Sequence, residues 1–477
     1  MPFPTATFAA FFVVAFTLNW LLRPHPPVWR ASMVALSLYF CAWVDVRFAV
    51  LVVALAMANA GLAAAVGRTP GRAAAPAGRR MVALAVALDL GVLAAFAYHG
   101  FFLDSATDVL RALGLSATAP SVGLVVPVGL SIVTLNAIGY VVDVGRGDVD
   151  PVPGGDVLLY LCFFPHLVAG PPVRVDELVP QFRRRPDPRR VPATEAFALV
   201  GTGLLKAVVV AGYLATEMVD PVFARPDQAG AVTLVVALYA LAVQVYASFS
   251  GLTDVAVGCA LLLGIEYPRP FDAPYRSSSV REFWDRWNTP VSHWLRDYVY
   301  VPLGGSRAGA GRTYRNLAVT TVLGALWYGP AWPVVVWGLV HGAYLVAERA
   351  RAGRAGEAPE AAVASRGATV ARGVATFHLV ALAWVFYRAD SLGTAGEVLG
   401  RIVTLAPGGS LTVPALAVLV VVGALAAQLA PAGAADGVRA RFTTLAPAAQ
   451  VAVLAAGLTV VSVLGPDGSP PATYLPF

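Results

Sequence analysis

The residues best suited to chemistry in this chain are a histidine, a tyrosine and an asparagine set among apolar runs. His341 and Tyr328 lie in LWYGPAWPVVVWGLVHG (326–342), and Asn288 lies in FWDRWN (283–288). A histidine in such a run could act as a general base, because its unperturbed pKa near ~6.5 suits proton transfer. A satisfied core histidine explains it equally well. Tyrosine, with a reference pKa of about 10, is a poor base, but its hydroxyl could donate a hydrogen bond to a carbonyl or a developing oxyanion. His341 follows Tyr328 by thirteen positions, roughly 20 Å along a straight helix. The two meet only if Pro330 and Pro333 fold the chain back.

Around Asn288 the chain is unusually polar. Between Arg276 and Asp297 stand Arg281, Glu282, Asp285, Arg286, His293 and Arg296, together with Trp284, Trp287 and Trp294. Such a cluster cannot face lipid and must lie in an interface, a cavity or a protein-lined pocket. Phe283, Trp287 and Trp294 share one helical face, with Arg281, Asp285 and Arg296 elsewhere. One reading is an amphipathic interfacial helix with tryptophan anchors. The other is a pocket floor with Asn288 as a hydrogen-bonding residue, and both can hold together. Residues 244–348 are the expected active-site core, with Trp287, Arg286, Asp285, Arg296, Asp297 and His293 as pocket residues.

Composition fixes the setting. Of 477 residues, 58% are hydrophobic and 13% charged, against about 25% charged in soluble domains. Apolar runs of about 20 residues fit membrane crossings. The net charge of +6 sits mostly in short loops, where it reports topology and not nucleic acid. Cys41, Cys162 and Cys259 all fall in apolar runs, with neither a disulfide framework nor metal-ligand spacing. No nucleotide fingerprint occurs, so spacing implies no bound cofactor and no metal.

The fold class expected is all-α: a single polytopic membrane domain over residues 1–477, with about ten to twelve crossings and some re-entrant, broken or interfacial helices. Arg68, Arg72, Arg79 and Arg80 mark one basic connection and Arg183–Arg185, Arg189 and Arg190 another. Arg307, Arg312 and Arg315 mark a third, and Arg349, Arg351 and Arg354 a fourth. The positive-inside rule makes these cytoplasmic and the N-terminus external. For both flanks of 155–171 to be cytoplasmic, a segment near Pro165–Pro172 must be re-entrant or split. The Ala/Gly/Arg/Glu-rich stretch 350–369 reads as a flexible cytoplasmic linker.

Two further sites carry polar groups into apolar surroundings. FFPHLVAGPPVR (163–174) sets His166 beside helix-ending prolines, as a pocket-lining re-entrant turn or as an interfacial loop. Asp254 lies in SFSGLTDVAVG (248–258). A carboxylate there needs a partner or a cavity, and Arg276 or Arg281 could supply the charge as a structural ion pair beside the pocket.

Together these motifs resemble the membrane-bound O-acyltransferase (MBOAT) superfamily. The similarity is to the bacterial branch of alginate O-acetylases and teichoic acid D-alanyl transfer proteins. YFCAWVDVRF (39–48), VPVGLSIVTLNAIGYVVDVGRG (126–147), LCFFPHLVAGPPVR, QVYASFSGLTDVAVG, the FWDRWN…WLRDYVYVPLGG block, WGLVHG and WVFYRADS (384–391) follow the family's order, and the terminal YLPF resembles its short aromatic tail. The resemblance implies a multi-pass helical fold in a bacterial cell membrane. It implies transfer of an acyl group, acetyl from acetyl-CoA being the family expectation, from a cytoplasmic thioester to a hydroxyl of a glycan or small metabolite. An extracytoplasmic partner transferase often finishes the reaction. The family's Trp-His-Gly reads Trp327-Tyr328-Gly329 here, its Arg-Trp-His ends in Asn288, and a carboxylate before Phe-Ser-Gly is Ser248. His341 survives in Trp-Gly-x-x-His-Gly. The resemblance therefore points to Asn288 and Tyr328 as orienting residues with His341 nearby. Because tyrosine replaces the family histidine, a catalytically silent scaffold, or an acyl conduit serving a partner enzyme, is the alternative.

Overall fold

The computed structural model describes residues 1–459 apart from 2, 119–122, 168, 308, 356–364, 432, 447, 451, 454, 455 and 458. The described residues hold no strand. The chain forms two compact units, one of Met1–Pro192 with Cys259–Pro268, the other of Ala193–Gly258 with Arg269–Pro476.

The first unit contains α1 (Ala6–Leu22), α2 (Pro26–Ala42), α3 (Val46–Arg68), α4 (Pro76–Ala112), α5 (Leu130–Arg146), α6 (Gly154–Cys162) and α7 (Val175–Arg183). α3 shows how these helices are sorted. Ala56, Ala60 and Ala63 are buried, while Val46, Val50 and Met57 are exposed. The alanines let helix backbones approach closely, and part of the large apolar set faces outward, as lipid surroundings permit, while Phe48, Val52 and Leu55 pack inward. The split expected near Pro165–Pro172 is present. α6 stops at Cys162, Phe164–Leu167 form one turn, and the chain runs non-helically from Gly170 into α7. Non-helical backbone at membrane depth must find partners in protein. Here Tyr160 Oη donates to the Val173 carbonyl at 2.8 Å, and Ser37 Oγ accepts from Phe164 N–H at 3.2 Å.

The second unit contains α8 (Ala193–Ala224), α9 (Ala231–Leu262), α10 (Val280–Arg286), α11 (Thr289–Leu295), α12 (Ala310–Tyr328), α13 (Trp332–Ala355), α14 (Arg366–Arg388), α15 (Leu392–Val403) and α16 (Ala415–Leu429). α3, α4, α8, α9 and α14 are long and apolar enough to cross a membrane; α1 and α16 are shorter apolar helices. α8 and α9 meet through glycines: a Cβ on Gly203 would lie 2.5 Å from the Gly251 carbonyl, and one on Gly258 2.7 Å from the Ala196 carbonyl. α12 and α13 form a tight hairpin for the same reason. A Cβ on Gly338 would lie 2.6 Å from Ala325 Cβ, and one on Gly342 2.6 Å from Thr321 Oγ1. The reversal falls at Gly329–Ala331, with Pro333 in the first turn of α13, where its missing N–H leaves no bond unmade. The fold-back conditional on Pro330 and Pro333 is therefore present. The linker expected over 350–369 is helical on both flanks, and 356–364, like the terminal YLPF, lie outside the described residues.

Candidate active site

The segment 270–298, one reading of which is an amphipathic interfacial helix, instead holds two short helices, α10 and α11, with a corner between them. α10 is capped twice. Ser279 Oγ accepts from Glu282 N–H at 3.0 Å, and the Glu348 carboxylate, from α13, accepts from Val280 N–H at 2.7 Å and Arg281 N–H at 3.1 Å. An acidic group at a helix N-terminus is favoured by the helix dipole, and this one ties α10 to α13. At the corner Asn288 adopts φ 42°, ψ 54°. That left-handed region is rare for residues other than glycine, and asparagine is among the few that tolerate it. The corner ends the helical phase, so the shared face of Phe283, Trp287 and Trp294 does not exist. Phe283 and Trp287 are buried, and Trp294 is half-buried.

The corner turns Trp287 and Asn288 toward the end of α12. Trp287 Nε1–H donates to Tyr328 Oη at 3.2 Å, and Asn288 Nδ2–H donates to the same oxygen at 3.1 Å. Two donors occupy the lone pairs of that oxygen, so its own proton is left to be given away. Phe249 of α9 meets the Tyr328 ring edge-on at 5.6 Å, and Trp337 of α13 at 5.4 Å.

One turn further along α13 is His341, wholly buried. Its ring lies 5.1 Å from Trp337, so Trp337 stands between the histidine and Tyr328. Trp284 Nε1–H donates to His341 Nδ1 at 3.2 Å, and Nε2 has no partner. An imidazole nitrogen that accepts carries no proton, so the neutral ring holds its proton on Nε2. His341 therefore presents a buried N–H donor. Trp384 of α14 stacks on Trp337 at 5.1 Å and meets Trp287 at 5.2 Å, closing the box. Neutral donors in such a low-dielectric box stabilise developing negative charge more strongly than they would in water.

The charged residues of the same segment are elsewhere. Arg286 pairs with Asp272 at 2.8 Å and Glu282 at 3.0 Å. Burial disfavours the Glu282 anion, but the Ser278 N–H and O–H groups and the Arg286 guanidinium outweigh it and hold the carboxyl below its usual range. Asp285 lies 3.9 Å from Arg281 on an exposed surface, Arg296 pairs with its neighbour Asp297, and His293 is exposed. These five expected pocket residues (Arg286, Asp285, Arg296, Asp297 and His293) form a rim and do not line the box.

Asp254 is paired, but with neither arginine expected for it. Lys206 Nζ of α8 lies 2.6 Å from Asp254 Oδ2 and 3.1 Å from Ser250 Oγ. It also lies 5.7 Å from the centroid of the Tyr246 ring, whose centroid is 6.4 Å from that of Trp287. Lys206 is the chain's single lysine, which was the signal available in the sequence. His166 belongs to the first unit, wholly buried, with Tyr267 Oη 3.4 Å from its Nδ1. A Cβ on Gly170 would overlap His166 Cα, so glycine allows the turn to close there. Among the described residues no three His, Cys, Asp or Glu side chains gather as a metal site.

A sequence model of the membrane-bound O-acyltransferase family matches residues 147–353, which contain the whole box except Trp384. The chain is 35% identical to a probable alginate O-acetylase of Azotobacter vinelandii over 364 residues, 75% of this chain and 69% of that protein. The chain belongs to this family. A probable alginate O-acetylase of Pseudomonas aeruginosa is also 35% identical, over 75% of this chain, and the match spans 66% of that relative's length. The peptidoglycan O-acetyltransferase of Helicobacter pylori is 28% identical over 432 residues, 83% of this chain and 78% of that protein. Membership of the membrane-bound O-acyltransferases carries with it a polytopic all-α fold.

Proposed function

We propose that the protein transfers an acyl group, an acetyl in the first instance, from a cytoplasmic thioester such as acetyl-CoA to a hydroxyl of a glycan or small metabolite at the cell membrane. The observation that carries this reading is a pair of buried neutral donors, Tyr328 Oη–H and His341 Nε2–H, in one aromatic box of a family acyltransferase. In the reaction the acceptor hydroxyl oxygen bonds to the thioester carbonyl carbon and the C–S bond breaks. The hydroxyl proton ends on the departing sulfur. Negative charge builds on the carbonyl oxygen in between, and a hydrogen bond from Tyr328 or His341 lowers that barrier. Asn288 and Trp287 act on Tyr328, as positioning residues. The relatives' names direct the acceptor search first to alginate and peptidoglycan, and the partner expected from the family resemblance is an extracytoplasmic transferase.

One observation favours a second reading, that of a silent scaffold or an acyl conduit. With Trp284 N–H on His341 Nδ1 and two donors on Tyr328 Oη, neither residue is set up to take a proton. The two readings separate on acyl transfer by the purified protein from labelled acetyl-CoA, comparing wild type with Tyr328→His and His341→Ala. Turnover by wild type and its loss in His341→Ala support a transferase. Turnover by Tyr328→His alone supports the scaffold.

A further inference from the structure

At the end of α1 the chain turns into α2 through Arg23, which is 6% exposed. Its Nη2 donates to the Gln181 carbonyl at 3.2 Å, and its guanidinium carbon lies 3.9 Å from the centroid of the Trp29 ring. Trp29 is fixed in turn, with Nε1–H donating to Asn19 Oδ1 at 2.8 Å. The remaining nitrogens of Arg23, Nε and Nη1, are buried without a hydrogen-bond partner. Buried polar groups are as a rule paired, and a buried charge that lacks a counter-ion is especially costly.

The neighbouring residues on the same two stretches are charged as well. Arg30, next to Trp29, approaches Asp156 Oδ1 at 3.3 Å, and Arg183, two places after Gln181, approaches Asp156 Oδ2 at 2.6 Å. Asp156 is buried, while the Arg30 and Arg183 side chains are 38% and 48% exposed. Nε of Arg30 again has no partner. Two guanidiniums thus share a single carboxylate, and Arg23, held against the same two stretches at Gln181 and Trp29, leaves two further nitrogens unused, so positive charge and N–H donors are in excess.

We propose that this cluster binds a phosphate ester, with Arg23 as the buried anchor and Arg30 and Arg183 at the mouth. Guanidinium groups present planar, paired donors that match phosphate oxygens, and they are weakly hydrated, which suits a desolvated site. The cluster stands where the apolar run of α1 ends, the level at which phospholipid headgroups meet a membrane protein. Two molecules bring such a group there: an anionic phospholipid and a phosphate-bearing acyl donor.

Native mass spectrometry of the full chain in detergent, titrated with phosphatidylglycerol or with coenzyme A, tests this. Binding is read without turnover, so its outcome is independent of acyl transfer. Wild type should hold one equivalent of at least one of the two, with affinity about tenfold weaker in Arg23→Gln. An Arg23-dependent lipid adduct assigns a headgroup site, and an Arg23-dependent coenzyme A adduct assigns a donor site. Arg183→Lys, which keeps a positive charge on Asp156 but loses the planar paired donors, should weaken the same adduct at a melting temperature close to that of wild type, which separates binding from folding. Equal adducts on wild type and both variants, or no adduct on any, would overturn the site.

Discussion

The rim and the box of the second unit are built from one stretch of chain, yet they obey different rules. In the rim, charge meets opposite charge: Arg286 with Asp272 and Glu282, Arg296 with Asp297, Arg281 with Asp285. In the box, the groups are neutral and hydrogen-bond in two sets, Trp287 and Asn288 to Tyr328 and Trp284 to His341. Charge at that depth would need its own partners to offset desolvation, whereas a neutral N–H or O–H needs a single acceptor. Density of charge along this stretch thus marks the rim, and the neutral hydrogen-bonding groups are the buried ones beside it.

Trp287→Ala should strain this distinction most. It removes a fully buried ring and one of the two donors to Tyr328, and loss of such a ring costs about 3–5 kcal/mol. Thermal unfolding in detergent should show it. A variant as stable as wild type would mean that the box is not the core of its unit. Tyr328→Phe comes next. The ring stays, the hydroxyl goes, and acyl transfer should fall by about 10²–10³, the effect of deleting one oxyanion donor. Full activity in this variant removes Tyr328 from the reaction. Trp284→Phe should do less. It keeps a ring against His341 but frees Nδ1, so the proton on Nε2 is no longer fixed. We expect about a tenfold loss and a changed pH–rate profile. An unaltered profile would show that the tautomer does not matter.

How far the site could be read from sequence follows from the same physics. The helices announce themselves through composition, the hairpin is legible as a condition on Pro330 and Pro333, and the grouping of Asn288, Tyr328 and His341 follows from the family resemblance and not from local pattern. Three things are not legible. The corner at Asn288 depends on one backbone angle, which a helical pattern running through it conceals. The choice of Lys206 over Arg276 or Arg281 as partner for Asp254 depends on how closely α8 and α9 approach through Gly203, Gly251 and Gly258, a contact between segments more than forty residues apart. The tautomer of His341 is set by Trp284, which sequence places 57 positions away. Each is a matter of which surfaces meet, and local pattern carries no information on that.

Glu282 belongs to the rim and should matter least to the chemistry, but it gives the comparison its pH signature. Ser278 and Arg286 hold its carboxyl below the usual range despite partial burial. A group depressed in the folded state contributes stability that is present above its unfolded pKa, about 4.3, and lost as pH falls through the lower folded value. The melting temperature of wild type should therefore exceed that of Glu282→Gln by a constant amount from neutral pH to about pH 5, and the gap should close in stronger acid. The side chain is about a third exposed, so solvent screens the pair and the gap should be small. Acyl transfer near neutral pH should be unchanged within about twofold, because the Glu282 carboxylate bonds to Ser278 and Arg286, outside the box. A gap that persisted into strong acid would show that the glutamate acts by packing and not by charge. A large loss of transfer would show that rim and box are one functional layer.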